Sequence, residues 1–329
     1  MLNSTVVYHS NSYDPAFNLA FEEYLLKYLE PDKIALFLWQ SENAIVIGRH
    51  QNPHRECDLP RLKQDGVKLV RRLSGGGSVY HDLGNLNFTF VTAPQNYDVD
   101  RQLSVILEAL AMLGIQAEQS GRNDLTTKGQ KFSGNAFLTQ DGRMCHHGTV
   151  LVDVNLEKLA TYLTVSKLKI KSKGIDSVRA RVVNLKELSA EINVESLKKA
   201  IQSAFIRNYA FEPQILNVDP KTLGVSLNPL MGKYNSWDWN YAEGPSFEIE
   251  KEAKFDWGLF EIRINCKDNL IEACEINTDC LIEEDFERLQ KQLIGEPFTL
   301  EMLLRQLNGS IHNAPIKSQL SDWFRAWLA

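Results

Sequence analysis

Nowhere in the chain does an apolar run approach the roughly 18 residues that a membrane-spanning helix requires, so no membrane association is expected. The opening stretch, Met1 to Ser12, lacks the basic segment and apolar core of a secretory signal. No CxxC spacing links the five cysteines, Cys57, Cys145, Cys266, Cys274 and Cys280. Their odd number and scatter suit neither a disulfide frame nor a zinc site, and reduced thiols in a cytoplasmic protein are expected. An excess of positive charge is missing too. The formal net charge is −6, whereas a general nucleic-acid binder is usually basic. Internal repeats and low-complexity tracts are also absent. What remains is an ordinary globular composition, 43% hydrophobic and 24% charged, over 329 residues. That length suggests two domains.

The apolar patterning predicts a mixed α/β (α+β) first domain. Thr5 to His9 reads as a strand. Asp14-Pro15 opens a helix from about Ala16 to Leu29, whose Phe17, Leu19, Ala20, Phe21, Tyr24, Leu25 and Tyr28 form an apolar stripe. Glu22 and Glu23 in that helix read as part of a solvated face. The apolar runs Ile34–Trp39 and Ala44–Gly48, joined by Gln40 to Asn43, predict a β-hairpin covered on both faces. Amphipathic spacing places further helices over Arg101–Leu113, Leu156–Leu163 and Val194–Tyr209. Pro213 to Met231 reads as loop-rich. Beyond Gly244-Pro245, three strands and three helices form a small α+β unit of their own, which divides the chain into residues 1–245 and 246–329.

The densest stretch is Arg71-Arg72-Leu73-Ser74-Gly75-Gly76-Gly77-Ser78-Val79-Tyr80-His81-Asp82. Three glycines permit a tight turn and close backbone approach to a ligand. Their N–H groups can form an anion-holding nest beside Arg71 or Arg72, although a plain glycine-rich loop has the same composition. Neither GxxxxGK[ST] nor GxGxxG fits, because Ser78-Val79 follows Gly77 and the next residues look like strand.

Further candidates follow in order: Asn123-Asp124, Lys131-Phe-Ser-Gly and His146-His147-Gly-Thr. In extended chain, Lys131, Ser133 and Asn135 should share one face, and Cys145, His147 and Thr149 another. The basic tract Lys167–Lys173 reads equally as a solvated loop or as a lid over an anionic ligand. Trp39 reads first as core. His81 and His147 lack a third ligand at a recognisable spacing, which argues against zinc.

The pattern RRxSGGGxVYHDxGNxNFT, from Arg71 to Thr89, resembles the central motif of lipoate-protein ligases. SYDPxxNLAxEE at Ser12–Glu23, SVRxRVxNL at Ser177–Leu185 and SWxWN at Ser236–Asn240 extend the resemblance to the C-terminus. It implies a biotin-ligase-like catalytic domain, related to class II synthetases, with a small α+β accessory domain. The implied reaction joins lipoate and MgATP into lipoyl-AMP and pyrophosphate, then passes the lipoyl group to a lysine of a carrier. The implied carriers are the lipoyl domains of 2-oxo-acid dehydrogenase complexes and the glycine cleavage H protein. By the same resemblance Lys131 is catalytic. Arg72, Ser74, Gly75, Gly76, Gly77, Ser78, Asn123, Asp124 and Lys131 hold ATP and the adenylate, with Asp124 on Mg²⁺. Trp39, Arg72, Val79, His81, Lys131 and His147 hold lipoate. Three alternatives stay open: an ATP-independent lipoyl or octanoyl transferase using Cys145, a transferase limited to pre-made lipoyl-AMP, and a non-catalytic lipoate-binding protein.

Overall fold

A computed structural model describes residues 2–121, 123–163, 182–241, 249–267, 270–282 and 284–328. The expectations for Lys167–Lys173 and for most of Ser177–Leu185 lie outside these residues. The chain forms two compact units. One contains the residues up to Ile47, Pro53–Ser74 and Ser78–Tyr241. The other contains Gly48–Asn52, Gly75–Gly77 and the described residues from Ile249 onward. No described helix is long and apolar enough to cross a membrane.

The first unit runs β1 (Ser4–Ser10), α1 (Pro15–Tyr28), β2 (Lys33–Trp39), β3 (Ala44–Ile47), α2 (Pro53–Glu56), α3 (Leu59–Gln64), β4 (Lys68–Arg71), β5 (Val79–His81) and β6 (Asn85–Thr92). It continues with α4 (Val99–Met112), β7 (Glu118–Ser120), β8 (Asp124–Thr127), β9 (Gln130–Gln140), β10 (Arg143–Leu151) and α5 (Leu156–Tyr162). Then come α6 (Val194–Tyr209), β11 (Gln214–Val218), α7 (Pro220–Asn235) and α8 (Trp237–Asn240). The second unit adds β12 (Ile249–Phe255), β13 (Gly258–Lys267), β14 (Leu270–Thr278), α9 (Phe286–Leu293), α10 (Leu300–Ser310) and α11 (Ala314–Leu328).

The main sheet has the order β11-β1-β2-β6-β10-β9-β8-β7. Within it β1 is parallel to β11 and β2, and the remaining pairs are antiparallel. Two local signals fix the β8–β9 and β9–β10 hairpins. Lys128 and Gly129 (φ 50° and 77°), then Asp141 and Gly142 (φ 51° and 70°), supply paired positive φ angles, as tight hairpin turns require. Asp98 caps α4 by accepting from the Arg101 N–H, and Asn193 caps α6 by accepting from that of Ser196. The apolar faces of α4 and α6 close one side of the sheet around Leu36, Phe88, Phe90 and Phe132. On the other side α1 and Leu227, Leu230 and Tyr234 of α7 cover Phe37, Trp39, Val91 and Cys145.

Two expectations are corrected. Ile34–Trp39 and Ala44–Gly48 do not pair as a hairpin. β2 is already flanked by β1 and β6, which leaves no edge for β3. β3 instead sits between β4 and β5 in a separate three-stranded sheet. Both runs are buried as expected, and it is the topology that differs. Pro213–Met231 is not loop-rich either, since it forms β11 and most of α7. β11 is a largely exposed edge strand without clean alternation, and α7 carries Pro229 internally, so neither announces itself by period.

Gly148 on β10 marks a close approach. A Cβ there would lie 2.5 Å from Phe88 Cζ and 2.7 Å from Asn135 Oδ1. We expect Gly148→Ala to cost about 1–3 kcal/mol of stability through overpacking, read from denaturant unfolding. Gly232→Ala, at a helical position with nothing within 4 Å, should be neutral or slightly stabilising. Equal effects of the two substitutions would contradict this packing.

Candidate active site

Helix α1 presents Glu22 to the sheet rather than to solvent. Glu22 is 1% exposed and Glu23 2%, which corrects the solvated-face expectation. The signal was in the sequence: Glu22 stands three and four residues from Leu19, Leu25 and Leu26, inside the apolar stripe. Glu23 accepts from Lys233 (2.7 Å) and Tyr234 (2.9 Å) and pairs with Lys27. Burial raises its pKa, but the hydrogen bonds from Lys233 and Lys27 outweigh burial and hold it below the usual range.

The Glu22 carboxylate organises a polar row. Thr89 Oγ1 donates to Glu22 Oε2 at 2.7 Å and accepts from Trp39 Nε1 at 3.2 Å. His147 Nδ1 lies 2.9 Å from both carboxylate oxygens. A ring nitrogen facing a carboxylate must donate, and in the neutral imidazole Nε2 then accepts from Ser74 Oγ at 2.6 Å. Ser74 in turn accepts from Arg72 Nε at 3.1 Å. Arg72 Nη1 also donates to the Val46 carbonyl. Burial lowers the Arg72 pKa to about 10, with Glu22 acting against it. His81 is buried edge-on to Trp39, ring centroids 5.9 Å apart, and Val79 packs half-buried on the α1 side of the core. Trp39, Arg72, Ser74, His81 and His147 are thus brought together.

Arg71 has a different role from Arg72. Its N–H donates to Asn240 Oδ1 and its Nε to the Trp239 carbonyl, while Trp239 Nε1 donates back to the Arg71 carbonyl, each at 2.9 Å. The SWxWN segment therefore anchors the end of β4, a link that no spacing in the sequence revealed. The three glycines differ in what requires them. A Cβ on Gly75 would lie 2.0 Å from the Cys280 carbonyl oxygen, Gly76 has φ 93°, and Gly77 has open space around it. Ser78 lies half-buried just before β5.

Asp124 on β8 and Lys131 on β9 form a second group, with Asn123 just before β8. Lys131 Nζ is 2.7 Å from Asp124 Oδ1, both side chains being more than a third exposed. Asn123 is tied to Asn135 by backbone and side-chain hydrogen bonds. The shared face expected for Lys131 and Asn135 is corrected. A register shift between Leu125 and Thr126, opposite Ser133 and Lys131, breaks the alternation. Lys131 Nζ lies 3.2 Å from where a Gly134 Cβ would be, whereas Asn135 Oδ1 meets His146 Nε2 on the other face. Gly134 stands two residues from Ala136, which pairs with His147. The lysine therefore reaches over the face that carries the Glu22 row.

Cys145 does lie on His147's face. Glu22, Cys145 and His147 place ligand-type atoms within 4.8 Å of one another. Both His147 nitrogens already serve Glu22 and Ser74, so a metal would have to dismantle that row. Burial, then Glu22, pushes the Cys145 thiol pKa well above its ordinary value, the opposite of an activated nucleophile.

Residues 14–206 match the family described as lipoyl protein ligase A/B catalytic domain, and residues 244–328 match bacterial lipoate protein ligase C-terminus. The chain is 37% identical over 325 residues to lipoate-protein ligase A of Blochmanniella pennsylvanica, covering 97% of this chain and 92% of that protein. Among solved structures, P. falciparum LipL1 in complex with lipoate is similar at 30% identity and TM-score 0.86, over 97% of this chain and 99% of that one. A lipoate-protein ligase A bound with ATP shares the fold at 23% identity and TM-score 0.62, over 74% and 99%.

Burial lowers the pKa of both His81 and His146 from 6.5 to about 3. As pH falls below 6.5 the unfolded chain binds these protons and the folded chain does not, so stability is lost progressively down to about pH 3. Each histidine should add about 1.4 kcal/mol per pH unit to the slope of unfolding free energy inside that window. His146→Gln and His81→Asn should each lower the slope by that amount in denaturant titrations between pH 4.5 and 6. An unchanged slope would contradict the neutral buried state.

Proposed function

Because the chain belongs to the lipoate-protein ligase family, we propose that it activates lipoate with MgATP and then transfers the lipoyl group to a carrier lysine. The observation that supports this most is the half-exposed Lys131 ammonium, held 2.7 Å from Asp124 over the Glu22 face. A lipoate carboxylate approaching an α-phosphate meets like-charge repulsion, and a cation where their oxygens converge relieves it. In the second step the same ammonium stabilises the oxyanion that forms as the carrier amine attacks the acyl carbonyl. Arg72, Ser74, Ser78 and the Gly75–Gly77 amides then serve phosphate and carboxylate oxygens, and Asn123 the adenylate. Trp39, Val79, His81 and His147 receive the acyl tail.

Asp124 is the residue that would hold Mg²⁺, which typically takes one or two carboxylates plus phosphate oxygens. Its half-exposed carboxylate fits that role, and the ion supplies charge neutralisation at the triphosphate. The proposal assigns the chemistry to residues 1–245, an accessory role to 246–329, and a cytoplasmic setting. The acceptors it implies are lipoyl domains of 2-oxo-acid dehydrogenase complexes and the glycine cleavage H protein. Transfer through Cys145 is disfavoured by its burial and raised pKa.

The direct test is pyrophosphate release from ATP and lipoate without any carrier, followed by a carrier gel shift. Lys131→Ala should keep the fold by circular dichroism and lose more than about nine-tenths of its activity, at least roughly 1.4 kcal/mol of transition-state stabilisation. Cys145→Ser should retain substantial turnover. An acyl thioester trapped on wild type, together with an inactive serine variant, would instead establish the cysteine route.

A further inference from the structure

Strand β6 sets Asn85, Asn87 and Thr89 in a row on one face. Asn87 pairs with Trp39 on one side and with Thr149 on the other, so its amide shares a face with the indole and His147. Asn85 is fully buried and Asn87 is 2% exposed. Asn85 Nδ2 donates to Asn87 Oδ1 at 3.0 Å. Among the described residues Asn85 Oδ1, Asn87 Nδ2 and both ring nitrogens of His81 have no partner. Turning both amides over exchanges their roles but still leaves one NH₂ and one carbonyl oxygen unsatisfied. His81, neutral at ordinary pH, adds one N–H and one lone pair. Buried polar atoms are nearly always bonded, so this group around Trp39 marks a face built to receive polar atoms from a ligand.

We propose that Asn87, supported by Asn85 and His81, is a specificity determinant for the acyl tail. The face accepts tails that carry hydrogen-bonding heteroatoms, such as the ring sulfurs of lipoate, in preference to saturated chains such as octanoate. This inference rests on the ligase reading above. A saturated tail would seal the amide groups away from water without offering them a partner, which selects against it. Sulfur is a weak acceptor, so the discrimination is modest, about tenfold rather than the far larger factors seen for a missing hydroxyl.

The full-length protein is assayed for pyrophosphate release with ATP and either lipoate or octanoate, and the binding of each acid is followed by calorimetry. Wild type should favour lipoate by about tenfold or more in kcat/KM. Asn87→Leu should bring the ratio to within about threefold of unity, chiefly through a gain on octanoate. Asn87→Ala removes the same amide with less risk to packing and should do likewise if the leucine variant loses its cooperative melt. Equal use of the two acids by wild type, or an unchanged ratio in a folded variant, overturns the proposal and leaves the ligase reading standing. No pyrophosphate with either acid overturns both.

Discussion

A carboxylate buried against the sheet is the constraint on which the rest of the site depends. Removing Glu22 from water costs several kcal/mol unless its oxygens are met by donors. Thr89 and His147 meet them, and each passes the demand onward. Thr89 fixes the Trp39 indole, and His147 fixes the Ser74 hydroxyl and through it the Arg72 guanidinium. One charge thereby orients side chains from α1, β2, β6, β10 and the segment after β4. Such a row is rigid because removing any member leaves a buried polar group unpartnered, a larger penalty than the bond itself is worth. A ligand entering here meets preset dipoles rather than side chains that must still be ordered.

Much of this was legible in the residue pattern. Most helices, the two positive-φ hairpin turns and the three-strand, three-helix second unit follow from period and turn chemistry. Two kinds of information were not local. Which strand neighbours which is decided by competition for edges, so the apolar runs flanking Gln40–Asn43 looked like a hairpin although they serve different sheets. The direction of a side chain beyond a bulge depends on the extra residue, so strict alternation misplaced Lys131 relative to Asn135. The burial of Glu22 is hidden in the sequence for another reason. A charge inside an apolar stripe is ambiguous until its partner is known, and His147 lies 125 residues away.

The glycine-rich stretch separates composition from cause. Gly75 is obliged by a neighbouring carbonyl and Gly76 by its backbone angle, while Gly77 has no steric requirement within the chain. Among the described residues nothing lies within 4 Å of a Cβ placed on Gly77, so packing does not demand a glycine there. A single motif thus contains two residues explained by folding and one that folding does not explain.

The anchoring of Arg71 by Trp239 and Asn240 bears on how the molecule can be divided. The catalytic-family match ends at residue 206, yet β11 adds the outermost strand to the main sheet. Beyond it, α8 contributes two carbonyls, an amide and an indole N–H to the strand end that leads into Arg72. A fragment cut at the family boundary would leave β1 with an open edge, remove the α7 residues that cover α1 and expose the Glu23 carboxylate. The first compact unit is therefore complete only through Tyr241, and shorter versions would be prone to edge-to-edge association.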